Sequence, residues 1–327
     1  LLASSAASDV YKRQPPKTDN TPVEVETDPK KIIVSAEKEW IFTEKITDSC
    51  HASTVLPLDD GSVIAAWFGG SSEKENDVNI YTSVRTEKDG WSKPIVVSAA
   101  AEIAHWNPVL FQKEDGTVIL YFKVGKDTDY WQTYYATSTD GRSWSTPKEL
   151  VPGDNSGGRG PVKNKPIRLK NGTVLAPAST EIDGKWKAFV DISTDDGKTW
   201  SKTSVIDSSF LGFFKVPMIQ PTLWESKDGS VHMLTRTKLG KIYRSDSLDG
   251  GKTWCRAYAT NLPNNNSGID LDTDDSGRIF LAYNPVGIPG IRTPLTLAVS
   301  LDDGKTFTKI KTCLLYTSPS PRDRTRS

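Results

Sequence analysis

Two arginines, one acid and two histidines stand out for the chemistry they offer. Arg236 and Arg292, if brought together, suit a planar carboxylate, because each guanidinium donates a bidentate fork. Asp77, in the polar stretch ENDVNIY, is a carboxylic acid that could protonate a leaving oxygen if burial raises its pKa, or a residue that merely shapes a turn. His51 and His105 lie 54 residues apart. Such a pair serves proton abstraction, contributes to a metal site, or bonds backbone. Trp106, Trp131 and Tyr130 offer a stacking face for a sugar, or apolar filling between sheets.

What must position these residues is a repeat. Ser193-Thr-Asp195-Asp-Gly197-Lys-Thr199-Trp200 recurs at Ser247 to Trp254 and at Ser300 to Phe307, with weaker copies ending at Trp144 and Trp91. The closing aromatics are 53, 56, 54 and 53 residues apart. A period of this size with one turn per unit marks stacked β-blades. Within the turn, Asp and Ser bond the backbone, Gly supplies positive φ, and the aromatic plugs between sheets. These aspartates are therefore expected to brace turns and do no chemistry.

Each unit also carries a hairpin signal, at Asp60-Gly61, Asp115-Gly116, Asn171-Gly172, Asp228-Gly229 and Ser276-Gly277. Each opens on a polar cluster ahead of an apolar strand. His51, Asn107, Asn164 or Lys165, Gln220, and Asn266 or Ser267 open the inner strands. In a radial array they should ring one mouth of the central channel, where polar side chains at the start of apolar strands suggest a pocket. The expectation is five four-stranded blades, with a sixth largely lost beyond Thr312. A further strand is expected at Lys31–Ala36.

The ends read differently. SSAASDVYKRQ, Ser4 to Gln14, and CLLYTSPSPRD, Cys313 to Asp323, back-translate to strings resembling the two ends of a transposase sequencing adapter. Residues 1–14 and 313–327 are accordingly expected to be adapter-derived, 15–30 a polar linker, and 31–312 the folded array. The chain has no net charge, and the part between the adapter-like ends is slightly acidic, so nothing suggests a nucleic-acid surface. Cys50 and Cys255 form no disulfide framework and have no metal-ligand spacing; both are expected to be small buried hydrophobes. No apolar run approaches a membrane span. No cofactor and no metal are expected.

The segment CHASTVLPLDDGSVIAAWFGGSSEKENDVNIYTSVRTEKDGWSKP, Cys50 to Pro94, together with the Ser-x-Asp-x-Gly-x-Thr-Trp repeats, resembles the sialidase superfamily and its Asp boxes. The resemblance covers roughly Lys31 to Thr312 and implies an all-β, six-bladed β-propeller whose last blade is truncated here. It implies that Arg236 and Arg292 correspond to the second and third arginines that clasp the sugar carboxylate, and that Asp77 falls near the acid/base. The family's first arginine is replaced by His51-Ala-Ser, its assisting Glu aligns with Gln220, and its Tyr nucleophile would lie beyond Thr312. The chain thus resembles a divergent branch.

The expected activity is a sialidase-like glycoside hydrolase of the exo-alpha-sialidase type, acting on glycans that end in a carboxylated sugar. The alternatives are a uronate-specific lyase, in which His51 or His105 takes the C5 proton, and a non-catalytic glycan-binding propeller. The candidate catalytic residues are Asp77 and His51. The candidate substrate-binding residues are Arg236, Arg292, His105, Asn107, Lys165 and Gln220. A monomer is expected, extracellular or periplasmic, with any signal peptide lost by truncation.

Overall fold

The computed structural model describes residues 26–33, 35–99, 102–211 and 214–314. Its elements start from five hairpins built alike. In each, a glycine at φ between +82° and +86° reverses the chain, at Gly61, Gly116, Gly172, Gly229 and Gly277. A preceding Asp or Asn side chain accepts a backbone N–H just beyond it: Asp60 from Ser62 at 2.9 Å, Asp115 from Thr117 at 2.9 Å, Asn171 from Thr173 at 3.0 Å, Asp228 from Ser230 at 2.9 Å. In the fifth, Asp274 accepts from Ser276 at 3.1 Å.

Each hairpin joins the first two strands of an antiparallel blade. Blade one holds β1 (Ser49–Pro57), β2 (Val63–Gly70) and β3 (Asn79–Thr86), with a split outer strand, β4 (Gly90–Trp91) and β5 (Ile95–Val97). Blade two holds β6 (His105–Gln112), β7 (Val118–Val124), β8 (Gln132–Ser138) and β9 (Lys148–Glu149). Blade three holds β10 (Ile167–Arg168), β11 (Val174–Thr180), β12 (Lys187–Ser193) and β13 (Ser201–Lys202), followed by a small ribbon, β14 (Ser209–Phe210) and β15 (Phe214–Lys215). Blade four holds β16 (Met218–Glu225), β17 (Val231–Thr237), β18 (Lys241–Ser247) and β19 (Tyr258–Pro263). Blade five holds β20 (Asp270–Thr273), β21 (Ile279–Tyr283), β22 (Leu295–Ser300) and β23 (Thr308–Leu314).

The protein is an all-β propeller with five blades, not six, among the described residues. Its only helical elements there are two short 3₁₀ turns, at Pro29–Lys31 and Ile182–Gly184, and no helix is long and apolar enough to cross a membrane. The expected strand at Lys31–Ala36 is absent among its described residues. Instead Asp28 caps the first 3₁₀ turn by accepting the Lys30 N–H at 3.0 Å. Strand β23 runs to Leu314, which pairs with Leu295, two residues past the boundary expected at Thr312. Cys50 and Cys255, expected to be buried, are both exposed; Cys255 sits at a blade edge, where its sulfur accepts the Asp246 N–H at 3.3 Å.

The repeated turn links the third and fourth strands of a blade. Asp195 accepts the Thr199 N–H at 2.9 Å and its hydroxyl at 2.6 Å, while Ser193 Oγ accepts the Gly197 N–H at 2.8 Å. The same bonds recur around Asp249 and Asp302. The turn then packs on the preceding blade. Trp200 meets Tyr121 edge-on at 6.4 Å, and Gly304 lies so close to Trp224 that a Cβ there would sit 2.6 Å from the ring. Apolar clusters consequently span neighbouring blades, as where Leu175, Leu223, Met233 and Trp254 share one core.

The segment ahead of blade one touches both ends of the array. The Glu26 carbonyl accepts from Arg278 of blade five at 3.5 Å. Glu39 pairs with Arg85 of blade one, and Phe42 stacks on Trp67 at 5.2 Å. Even so, Thr54, Val55 and Leu56 of β1 stay half-buried, whereas Val109 and Leu110 of β6 and Leu223 and Trp224 of β16 are fully buried.

Candidate functional site

The inner strands share a device that the sequence does not announce. Each opens on a non-glycine residue in the left-handed region: Ala52 (φ 48°), Asn107 (44°), Lys163 (73°), Gln220 (52°) and Asn266 (64°). In blades one, two and four this residue lies in a β-bulge, where register shifts between His51 and Thr54, Trp106 and Val109, and Ile219 and Thr222. A bulge re-aims side chains, and backbone held at positive φ without glycine is strained; such strain gathers at functional sites. Five such residues at one end of the inner strands define the mouth.

Beside them is a second ring, the residue seven beyond each hairpin glycine: Phe68, Lys123, Ser179, Arg236 and Asn284. The pairing is direct, His51 with Phe68, Trp106 with Lys123, and Ile219 with Arg236. Arg236 donates from Nε to Asn266 Oδ1 and from Nη1 to Gln220 Oε1, both at 3.1 Å. Its guanidinium lies 5.3 Å from the centre of the Trp186 ring, which also carries the Lys238 ammonium at 4.0 Å. Burial pulls the Arg236 pKa down to about 10, and the positive charge of Arg292 adds to this, with Glu181 pulling the other way. Among the described residues no carboxylate lies within ion-pair distance of Arg236. A partly buried cation held by two neutral amides, on which the charge of Arg292 also acts, can accept an anion.

Lys163 and Lys165 take different work. They cross from blade three to the inner strand of blade five, Lys163 reaching the Ile269 carbonyl at 3.4 Å and Lys165 the Leu271 carbonyl at 2.8 Å. Lys163 runs close over Gly268, where a Cβ would sit 2.4 Å from Lys163 Cε. Burial lowers the Lys163 pKa, helped by Arg236 and Lys165 and opposed by Asp270. Burial works against Lys165 as well, but Asp270 and Asp272, 3.6 and 3.5 Å away, raise it overall. Lys165 therefore ties blades together rather than lying open on the rim.

The remaining expected residues are spread around the array. Arg292 is exposed, ahead of β22, and its charge reaches Arg236. Asn107 sits half-buried on its bulge. Asp77 tops blade one, where Ser71 donates to it from N–H and hydroxyl, both at 2.9 Å. It edges a cavity of about 320 Å³ shared with Lys45, Gly70 and Tyr81. His51 packs on Phe68 at 5.3 Å.

His105, expected to bind substrate, does not reach the rim. It is fully buried, Nε2 accepting the Ala99 N–H at 2.9 Å and Nδ1 facing the Ile103 and Val78 carbonyls at 2.9 and 3.2 Å. Burial lowers its pKa, against those carbonyl contacts. The match with His51 was one residue out of step: His51 shares its blade position with Trp106, and a one-residue slip in a strand turns a side chain to the other face.

A larger cavity, about 530 Å³, opens at the hairpin end between blades three and four. Its carboxylates Glu225, Asp228 and Asp249 are already engaged by Lys170, Ser230 and Thr253, so the residue chemistry, rather than the volume, points to the mouth as the candidate site.

Three residues of the mouth escaped sequence reasoning. Glu181 and Trp186 lie between β11 and β12, and Lys163 was passed over for its neighbours. Burial pushes the Glu181 carboxyl up, against the pull of Arg236 and Lys238, with Asp129 adding to the rise and the Trp186 side chain hydrogen-bonded to it. The signal for Lys163 was its place before Asn164, matching Gln220 before Pro221; nothing in the sequence marked Glu181.

The architecture recurs in solved structures. A protein of unknown function from Dyadobacter fermentans aligns with a TM-score of 0.64 at 17% identity, over 80% of this chain and 83% of that one. A mutant of the NanB sialidase from Streptococcus pneumoniae aligns at 0.65 and 14%, over 88% of this chain and 65% of that one. The Trypanosoma rangeli sialidase in complex with the inhibitor DANA aligns at 0.62 and 15%, over 83% and 49%. The chain thus spans less than two thirds of either sialidase. At these identities the likeness is one of fold. No curated protein matches by sequence. The BNR repeat-like domain family matches residues 61–320, most of the chain and every strand described above except β1. The repeated turns, the five blades and this match agree: the chain belongs to the BNR repeat-like domain family, and its fold is like that of solved sialidases.

Proposed function

We propose that this protein is a sialidase-like glycoside hydrolase that recognises glycans ending in a carboxylated sugar. The observation that carries the reading is Arg236, a partly buried guanidinium held by Gln220 and Asn266, with Arg292 adding like charge. A sugar carboxylate supplies the missing anion, received as a bidentate contact. In this reading Arg236 and Arg292 clasp the carboxylate, Gln220 and Asn107 line the mouth, and Asp77 and His51 face the glycosidic bond from blade one. Asp77 is the acid that protonates the leaving oxygen. A sixth blade would complete the ring and cover the half-buried β1; it would also carry the nucleophile. The same reading makes the protein a secreted monomer that needs no metal.

Uronate lyase chemistry finds less support, because the buried ring nitrogens of His105 are engaged by backbone. A glycan-binding propeller without catalysis is favoured by one observation: Gln220, an amide, stands beside Arg236. Titration calorimetry with sialic acid and glucuronic acid against their methyl esters tests the clasp. The acids should bind about tenfold or more tighter than the esters, a difference that Arg292→Lys reduces. Equal binding of acid and ester sinks it. Hydrolysis of a sialoside by the chain completed with its remaining blade separates enzyme from binder.

A further inference from the structure

The clasp uses Arg236 and Arg292 and leaves a further cation of the mouth without a task. Lys238 stands two residues beyond Arg236, just past the end of β17, where extended chain sends both side chains off the same face. Both meet the same indole. The Lys238 ammonium lies 4.0 Å and the Arg236 guanidinium 5.3 Å from the centre of the Trp186 ring. That ring is a fixed platform. In its loop the Asp183 N–H donates to Asp129 of blade two at 3.1 Å, and Ile182 packs so close to Gly157 that a Cβ there would sit 2.6 Å from Ile182 Cδ1. The turn carrying Lys238 is braced as well: the Thr237 hydroxyl accepts the Leu239 N–H at 3.2 Å and donates to the Lys241 carbonyl at 2.5 Å. Two cations brought to one ring repel each other. Among the described residues no carboxylate lies within ion-pair distance of either. Glu181 feels both charges, but burial acts on it more strongly than either cation does.

We propose that Lys238 is a second anion-binding position of this mouth, and that the glycan it selects carries a sulfate ester near its carboxylate. The inference rests on the carboxylate clasp proposed above and narrows its substrate class. Arg236 has Nε and Nη1 committed to Asn266 and Gln220, so its remaining donors suffice for one carboxylate. A carboxylate is planar and suits the guanidinium fork. A sulfate is tetrahedral and suits an ammonium, a compact charge whose three donors need no fixed plane. Lys238 is exposed, so an ester group can reach it from solvent while the carboxylate enters beside Gln220. A sugar bearing the carboxylate alone leaves the Lys238 charge uncompensated beside Arg236. A glycan bearing both groups compensates each.

The test is titration calorimetry on the full chain. The ligands are the disaccharide of glucuronic acid and N-acetylgalactosamine, its two monosulfate esters on the galactosamine, and the methyl ester of the unsulfated acid. One of the sulfates should tighten binding about tenfold or more in the wild type. Lys238→Gln should abolish that gain and leave the preference for acid over methyl ester as it was. Lys238→Arg, which keeps the charge, should retain most of the gain. Sulfates that add nothing, or a gain that survives in K238Q, overturn the role of Lys238 and leave the clasp intact. Acid and methyl ester binding alike, or no binding by any of the ligands, overturns the clasp, and this inference with it.

Discussion

Gln220 accepts a hydrogen bond from Arg236 Nη1 at 3.1 Å while its own backbone is held at φ 52°. A left-handed, non-glycine residue thus presents a neutral acceptor to a partly buried cation. Replacing that amide by a carboxylate should fill the anion site from within. Gln220→Glu is expected to lower affinity for a carboxylated sugar about tenfold or more, since it substitutes an internal charge-assisted bond for the ligand's. Thermal stability should rise at the same time. Acid binding that survives the substitution unchanged would count against Arg236 as the ligand's partner.

The repeated turns respond to acid. Hydrogen bonds from the Thr199 side chain, the Thr199 backbone and Ser193 hold the Asp195 pKa down to about 2, and the corresponding bonds hold Asp249 at about 2. A depressed folded pKa contributes stability above the unfolded value near 4 and loses it as pH falls towards 2. Asp195→Ala should lower the melting temperature at pH 7, and this deficit should shrink between pH 4 and 2. Sugar binding should be unaffected by the change, and calorimetry at pH 7 checks it.

Lys123 gives a stability slope of the same sign in a higher pH window. It is fully buried, donating to the Thr133 hydroxyl at 2.5 Å and the Arg159 carbonyl at 2.8 Å, and burial pulls its pKa down to about 7. The unfolded chain holds that proton to a higher pH, so this group makes folding more favourable as pH rises from about 7 towards 10. Urea denaturation of Lys123→Met and wild type across that interval should show the rise only in wild type. Parallel curves would show that Lys123 does not titrate there.

Gly304 is at φ 74°, with the Trp224 ring where a Cβ would go. Gly304→Ala combines backbone strain with overpacking and should cost about 2–4 kcal/mol, measured by denaturant unfolding. Gly61→Ala, at φ 82° in open space, should cost only the backbone part, about 1–2 kcal/mol. Equal costs would remove the packing argument for the blade interface.

The fold was readable because its signals are local. An Asp-Gly hairpin or a Ser-x-Asp turn closes its own hydrogen bonds within a few residues, so each copy in the sequence stands for the same shape. The mouth was only partly readable. Arg236 was placed by its resemblance to the family's second arginine, at the end of a blade's second strand. The inner strands were misaligned by one residue in places, because the bulge that sets the register in blades one, two and four turns on Ala52, Asn107 and Gln220 rather than on glycine. That slip brought His105 to the rim in sequence and left it in the core in structure. Glu181 and Trp186 belong to a loop between strands, where neither period nor turn chemistry fixes a side chain; packing against Arg236 from the next blade does.

The stretch before blade one has a consequence for how the molecule comes apart. Stacked repeats touch only their neighbours, so a linear array can fray from its terminal units inward. Here Glu26 meets Arg278 in the last described blade, and Phe42 meets Trp67 in the first. Loosening either terminal unit therefore disturbs contacts made by the same short piece of chain at the other. Among the described residues, the first and last blades are thereby coupled through one segment, as the ends of a loop are.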